Sequence, residues 1–386
     1  MIRNLIVFIF VLFVGLVSAV SFRELLEEWR QHELELTPEG VVNRLREQFP
    51  YKQAFVDLCG ALARAEGFRI CNQRLRGGRG LVGYLHDQGG IERWGEAERC
   101  TERVSDGLKE MGIPFLYVMA PTKIDLAGEL FPAGWSGCNL NRDAATFLAN
   151  LSAKGVPVLN LIPNLVANAD DVSKNFFRTD HHWTYRAAMK AAGLVLDRLA
   201  LTLGDPELSH HPNVSPTNWS WHVRKECFLG SVGRRTGRFF AGVDDFEYAY
   251  PRFSCAMERR IPATGFRTSG DFRQAETCGG LIADDDLRVN RYAFYTGGNV
   301  GVQIHRCLNA PFPHRVLIVK DSFGDPVTAF LATVFREVVQ VDMRYLPEGE
   351  PLLKVVSRHR PDAVVAILNA YGLVTYKLES GFREKR

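Results

Sequence analysis

The tightest constraint on the fold of this chain is a set of short, unbroken apolar runs. They are Pro114-Phe115-Leu116-Tyr117-Val118-Met119-Ala120, Pro157-Val158-Leu159-Asn160-Leu161-Ile162, Arg315-Val316-Leu317-Ile318-Val319, Val338-Val339-Gln340-Val341-Asp342 and Ala363-Val364-Val365-Ala366-Ile367-Leu368. Runs of about four to eight apolar residues without polar alternation read as strands covered on both faces. Stretches with helical spacing separate them: Glu92 to Met111, Ala144 to Lys154, about His182 to Leu203, about Pro326 to Phe335, and Leu352 to Arg358. In the stretch from about His182, Arg186, Lys190 and Asp197 share one polar face and the rest packs inward. Strand–helix alternation of this kind predicts an α/β fold, a parallel sheet with helices over its faces.

The rhythm starts late and is interrupted once. Residues 20–90 read as a helical lead-in, closed by Phe49-Pro50, then a helix from Tyr51 to Ala65 and a glycine-rich hairpin. Gly78-Arg79-Gly80-Leu81-Val82-Gly83 formally matches a dinucleotide fingerprint, but turn material follows it where a helix is needed. Residues 91–203 carry the first α/β part. Residues 204–312 are rich in Pro, Gly, Asn and Ser and read as a loop- and β-rich insertion with short strands such as Arg291-Tyr292-Ala293-Phe294-Tyr295. Residues 313–386 resume the α/β pattern.

The termini and composition bound the setting. Arg3 precedes the apolar run Leu5 to Val17, and Val17-Ser18-Ala19 follows with small residues at a cleavage position. That is a signal-peptide pattern over residues 1–19, or a retained anchor; either way the rest of the chain is exported. The expected location is periplasmic, extracellular or in a secretory lumen. Eight cysteines in an exported chain imply disulfides, and the shortest loops would pair Cys59 with Cys71 and Cys227 with Cys255. Formal net charge is +3 with no basic block, which leaves no electrostatic footprint for nucleic acid.

Chemistry concentrates in two places. Thr179-Asp180-His181-His182-Trp183-Thr184 crowds a carboxylate and two imidazoles at the start of a helix. Lys320-Asp321-Ser322-Phe323-Gly324 places a serine directly after a strand. Ligands bind at the carboxyl ends of strands in open α/β sheets, and Lys123, Ser322 and Asn369 sit at such ends or on the loops after them. A serine needs a base, and the base an orienting acid. Asp180 can reach the His182 ring from the same turn; His181 is the competing base. Plainer roles stay open: Asp180 or Asp321 as a helix cap, Lys123 as a surface lysine, Asn369 as a turn residue, Trp183 as an anchor. A zinc site on His181 and His182 with His210 and His211 is a further alternative, although adjacent histidines rarely converge on one ion.

The Asp180 block resembles the signature of the DHHW proteins, SGNH-hydrolase-like relatives of the AlgX and AlgJ alginate O-acetylation proteins, which carry Asp-x-His-Trp here. Ala120-Pro121-Thr122-Lys123 is similar to the family's Pro-x-Lys, Phe228-Leu229-Gly230-Ser231 to its Gly-Ser segment, and Val319-Lys320-Asp321-Ser322-Phe323 to its nucleophile block. The motifs stand in the family's order over about Phe115 to Asn369. The resemblance implies an SGNH-like three-layer α/β/α sandwich in permuted motif order. It implies Ser322 as nucleophile, His182 as base and Asp180 as orienting acid, with Phe323 N–H, Asn369 and Lys123 as oxyanion or supporting groups. The Gly-x-Asn-Asp that surrounds the oxyanion-hole asparagine of SGNH hydrolases is absent around Asn369, and the cysteines and the long insertion depart from the pattern. Its members act on O-acetyl groups of exported polysaccharides, as transferases or esterases. That implies a glycan substrate and an acetyl donor, either a small molecule or a membrane acyl-carrier protein, and no cofactor or metal. A membrane partner follows only if the N-terminal segment is kept as an anchor. A secreted carbohydrate-binding scaffold without turnover is the alternative from another class.

Overall fold

The computed structural model describes residues 52–84, 91–123, 129–131, 140–347 and 349–370, with Arg23. The expected signal peptide or anchor over residues 1–19, the lead-in up to Pro50 apart from Arg23, Cys138 and the chain after Ala370 lie outside the described residues. Among those described, no helix is long and apolar enough to cross a membrane.

Helix α1 (Lys52–Ala65) leads into a three-stranded antiparallel unit of β1 (Ile70–Cys71), β2 (Arg74–Arg76) and β3 (Val82–Tyr84). The Gly78 stretch is the turn between β2 and β3, with Arg79 and Gly80 at φ of 53° and 74°. It is a hairpin turn that leads directly into strand β3 where the fingerprint needs a helix, which removes the dinucleotide reading. The α/β part then runs α2 (Ile91–Glu110), β4 (Phe115–Ala120), α3 (Leu140–Ala153), β5 (Val158–Asn160), α4 (Ala169–Asn175) and α5 (Tyr185–Leu203). The second run expected as a strand is cut short. Asn160 Oδ1 accepts from the Ile162 N–H at 3.0 Å and turns the chain into a short helix.

The insertion holds β6 (Trp219–Phe228), β7 (Asp244–Pro251), β8 (Met257–Ile261), β9 (Phe266–Gly270), α6 (Phe272–Glu276) and β10 (Val302–Cys307). The chain ends with β11 (Phe312–Lys320), α7 (Gly324–Leu331), β12 (Phe335–Val341), α8 (Leu352–His359) and β13 (Ala363–Asn369). Eight strands form one sheet in the order β5-β4-β13-β11-β12-β10-β8-β9. The first five are parallel; β10, β8 and β9 extend the sheet antiparallel from β12. The insertion therefore builds part of the central sheet, while β6 and β7 pair apart from it.

The apolar runs are buried because helices cover both faces. Helices α5 and α7 pack together, and α2 packs on α3 and α8. Val316, Leu317, Ile318 and Val319 of β11 are completely buried. Burying each such side chain contributes about 1.5–3 kcal/mol. The stretch Arg291 to Tyr295 is a 3-10 turn at Arg291–Ala293, not the strand expected. The buried Arg291 guanidinium donates to the carbonyls of Asp284 and Asp286, which fold the segment back on itself.

No disulfide joins the described cysteines, so neither the Cys59–Cys71 nor the Cys227–Cys255 pairing is formed. Cys255 instead comes beside Cys307, where Met257 pairs with Cys307 and the Leu308 N–H donates to the Ala256 carbonyl. Short loops mislead because pleated-sheet register, not chain distance, brings these thiols together.

Candidate active site

Three neighbouring strands, β4, β13 and β11, deliver Lys123, Asn369 and Ser322 to the carboxyl-end side of the sheet. The turn after β11 is fixed by Asp321. Its Oδ1 accepts from the Phe323 N–H at 2.9 Å, and its Oδ2 from the Asn369 N–H at 2.7 Å, tying the turn to β13. Burial pushes the Asp321 carboxyl up, with Arg344 opposing. Asp321 is therefore a structural brace. Gly324 opens α7 where an added Cβ would lie 2.4 Å from Lys320 Cβ.

The Asp180 block is held from below and from the side. Lys123 is buried, and its Nζ donates to the carbonyls of Phe177, Arg178 and Asp180 at 3.2, 2.9 and 2.6 Å. Burial lowers its pKa to about 8, with the Asp180 charge opposing. From the insertion, Asp244 accepts from the N–H of Arg178 at 3.1 Å and from the N–H and hydroxyl of Thr179, both at 2.7 Å. Gly230 passes so close that a Cβ there would sit 2.3 Å from Asp180 Cβ. Ser231 donates its N–H to Asp180 Oδ2 at 2.5 Å. Helix α5 is capped by Thr184, whose hydroxyl accepts from Ala187 N–H, so the capping role considered for Asp180 is filled elsewhere.

Asp180, His182 and Ser322 form one chain of hydrogen bonds. Asp180 Oδ1 lies 2.5 Å from His182 Nδ1, and His182 Nε2 lies 2.7 Å from Ser322 Oγ, across 140 residues of sequence. Burial alone would raise the Asp180 carboxyl, but the imidazoles of His182 and His181 hold it well below the usual carboxylate range. An ionised Asp180 accepts the Nδ1 proton and leaves Nε2 as the acceptor for the serine hydroxyl. On the other side, the Tyr292 ring stacks flat on the His182 imidazole, with centroids 3.8 Å apart and planes at 11°.

His181 does not turn away. Its ring lies 3.7 Å from that of His182, and its Nδ1 is 2.7 Å from Ser231 Oγ. Burial, reinforced by His182, pushes its pKa down to about 3, so it stays neutral. Donor atoms of Asp180, His181 and His182 lie within 4.8 Å of one another, a spacing that suits a metal. Both ring nitrogens of His182 are already engaged, however, by Asp180 and Ser322. His210 and His211 follow the far end of α5, a 19-residue helix about 28 Å long, so the four histidines do not converge.

The expected oxyanion donors are occupied. Phe323 N–H serves Asp321, and Asn369 Nδ2 donates to the carbonyls of Ala120 and Pro121 at 3.0 and 2.9 Å. Lys123 is saturated by its three carbonyls. These groups brace the site. Ser231, Asp244 and Tyr292 complete it and are harder to read from sequence. Ser231 lies in the Gly-Ser segment, whereas Tyr292 falls in the stretch that patterns as a strand.

Residues 84–219 match the family profile described as "SGNH hydrolase-like domain, acetyltransferase AlgX". Among solved structures, Bacillus cereus PatB1 aligns with a TM-score of 0.62 at 16% identity, over 78% of this chain and 96% of that one. The PatB1 structure with a sulfonyl adduct gives 0.64 at 16% identity, over 81% and 97%. A DHHW family protein from Eubacterium siraeum gives 0.58 at 17% identity, over 80% and 94%. The protein has an SGNH-like fold. Comparison with curated proteins gives no match. The SGNH-like fold accounts for the parallel core of the sheet.

Proposed function

We propose that this protein is an exported serine acyl-transfer enzyme that moves acetyl groups on or off a glycan, a polysaccharide O-acetyltransferase or acetylesterase. The observation that carries the reading is the serine–imidazole–carboxylate chain at 2.7 and 2.5 Å. Ser322 Oγ attacks the acetyl carbonyl and its proton passes to His182 Nε2. Asp180 holds the imidazole by Nδ1 and stabilises its cation, and Tyr292 covers its face. The Ser322 N–H, with no hydrogen-bond partner among the described residues, is positioned to donate to the developing oxyanion. Collapse returns the proton to the leaving group and leaves acetyl-serine. A sugar hydroxyl or water then attacks, giving its proton to His182, which restores the serine.

The acetyl donor is a small molecule or a membrane acyl-carrier protein, and the acceptor is the hydroxyl of an exported glycan. The signal-peptide pattern supports export. In an oxidising compartment Cys255 and Cys307, brought side by side by strand pairing, are the pair best placed for a disulfide. The test is turnover of a chromogenic acetyl ester, with mass spectrometry after exposure to a sulfonyl fluoride. Acetyl and sulfonyl adducts are expected on Ser322, and loss of turnover in Ser322→Ala and His182→Ala. A parent protein with no turnover and no adduct would leave a carbohydrate-binding scaffold on the same fold.

A further inference from the structure

Away from the serine, the antiparallel end of the sheet carries an unbalanced set of charges. Cross-strand pairing puts Ile304, Arg260 and Arg267 in one row and Arg306, Glu258 and Ser269 in the next row on the same face. Together with Arg259 and Thr268, these six line a cavity of about 240 Å³; the Arg259 guanidinium is already spent on the Thr296 carbonyl. The opposite face belongs to α6, whose Glu276 bonds His305 Nδ1 at 2.7 Å. The Arg260 row is level with Leu317, so Ser322 lies five residues further along β11 and three strands across, roughly 20 Å away.

Like charges directly opposite each other in a sheet repel, and Arg260 and Arg267 are such a pair. Among the described residues neither has an ion pair or a side-chain hydrogen bond, and Arg260 Nε is buried without a partner. Arg306 does not share this state. It bonds Glu337 at 2.6 Å, and Glu337 also takes Arg315 at 2.5 Å. Glu258 makes no ion pair with any of these arginines, so its carboxylate remains available as an acceptor beside Ser269. Two unneutralised guanidinium groups, one carboxylate and one hydroxyl thus converge on one hollow.

We propose that this cavity binds a hydroxylated oxyanion, a sugar-acid or sugar-phosphate unit. Arg260 and Arg267 clamp the oxyanion, and Glu258 and Ser269 take the ring hydroxyls. Guanidinium forks match carboxylate and phosphate oxygens, and a carboxylate in the same wall fits a ligand that also donates. Glu258 disfavours a bare polyanion. The lining has no aromatic platform for nucleic-acid bases and no apolar rim for a membrane. The volume falls below the range of about 300–1,000 Å³ for drug-sized pockets, which suits a single sugar unit. The site stands independently of the acyl-transfer reading.

Calorimetric titration of the full chain with glucuronate, a hexose phosphate, glucose and inorganic phosphate tests this. Saturable binding of at least one sugar oxyanion is expected, no binding of glucose, and binding of inorganic phosphate about tenfold weaker or less. The tighter of glucuronate and hexose phosphate identifies the oxyanion. Arg267→Ala, at an exposed position, should weaken binding about tenfold or more and leave acetyl-ester turnover unchanged. Arg260→Lys keeps the charge but loses the fork, and should weaken binding as well. Glu258→Gln should erase the preference over inorganic phosphate. The proposal is overturned by no saturable binding of either sugar oxyanion, by equal binding of inorganic phosphate, or by unchanged binding in Arg267→Ala. Tighter binding to anionic phospholipid vesicles or a single-stranded oligonucleotide would also overturn it.

Discussion

The parallel and antiparallel halves of the sheet treat polar groups in opposite ways. At the ends of β4, β13 and β11, Lys123, Asn369 and Asp321 are buried and bonded inward to backbone. On β8 and β9, Arg260 and Arg267 face each other with their charges unanswered. The first arrangement spends every donor on holding a geometry, which is what a proton-transfer chain needs. The second leaves donors open at some cost to stability, which is what a ligand seat needs. Buried and satisfied polarity therefore marks a frame in one half, and partly exposed, unpaired charge marks the proposed seat in the other.

Substitutions can break that contrast. The largest effect is expected at Asp180. Asp180→Asn keeps the shape but not the tautomer control, and acetyl-ester kcat should fall about 10³–10⁴-fold. The same carboxyl should show in acid unfolding. Its pKa is depressed in the fold, so its stabilisation is present above the unfolded value of about 3.9 and is lost as pH falls through the folded value. Chemical denaturation from pH 6 down to pH 2 should show a shallower loss in Asp180→Asn than in the parent.

A smaller but still large change is expected from Lys123→Met. Removing the ammonium strands the carbonyls of Phe177 and Asp180, each costing about 1–3 kcal/mol if left unsatisfied, while that of Arg178 keeps the Val82 N–H. Unfolding free energy should drop by several kcal/mol, with kcat falling as the Asp180 block loosens. Denaturation curves unchanged from the parent would remove Lys123 from the frame. The smallest effect belongs to the other half. Relieving the Arg260–Arg267 repulsion by Arg267→Ala should leave stability within about 0.5 kcal/mol of the parent or slightly above it. A loss of 2 kcal/mol or more would make Arg267 a structural residue and collapse the contrast.

Much of the frame was legible in the sequence because it rests on pattern. Unbroken apolar runs locate β4, β11 and β13, and a residue just past a buried strand has few places to go. Hence Lys123, Ser322 and Asn369 could be placed together. What those side chains do there was not legible. Asn369 and the Phe323 N–H look like oxyanion donors by position, but their bonds go to Ala120, Pro121 and Asp321, partners set by three-dimensional approach. Tyr292 was hidden for a similar reason. An alternating aromatic stretch resembles a strand until a buried arginine, Arg291, folds it into a turn. The antiparallel extension was hidden too, because short irregular strands carry too weak a period to assign to a sheet.

The order of the strands also sets the order in which the molecule can be built. Strand β11, which ends beside the serine, has as its two neighbours β12 and β13, both made after it. Strand β4, which carries Lys123 at its end, waits for β13, the last strand of the sheet among the described residues. A chain emerging from its amino end therefore presents β4 and β5 as a two-stranded fragment with an open apolar edge until residues 363–369 arrive. The nucleophile and its base meet only at that late step, so incomplete chains of this protein would be sticky before they were reactive.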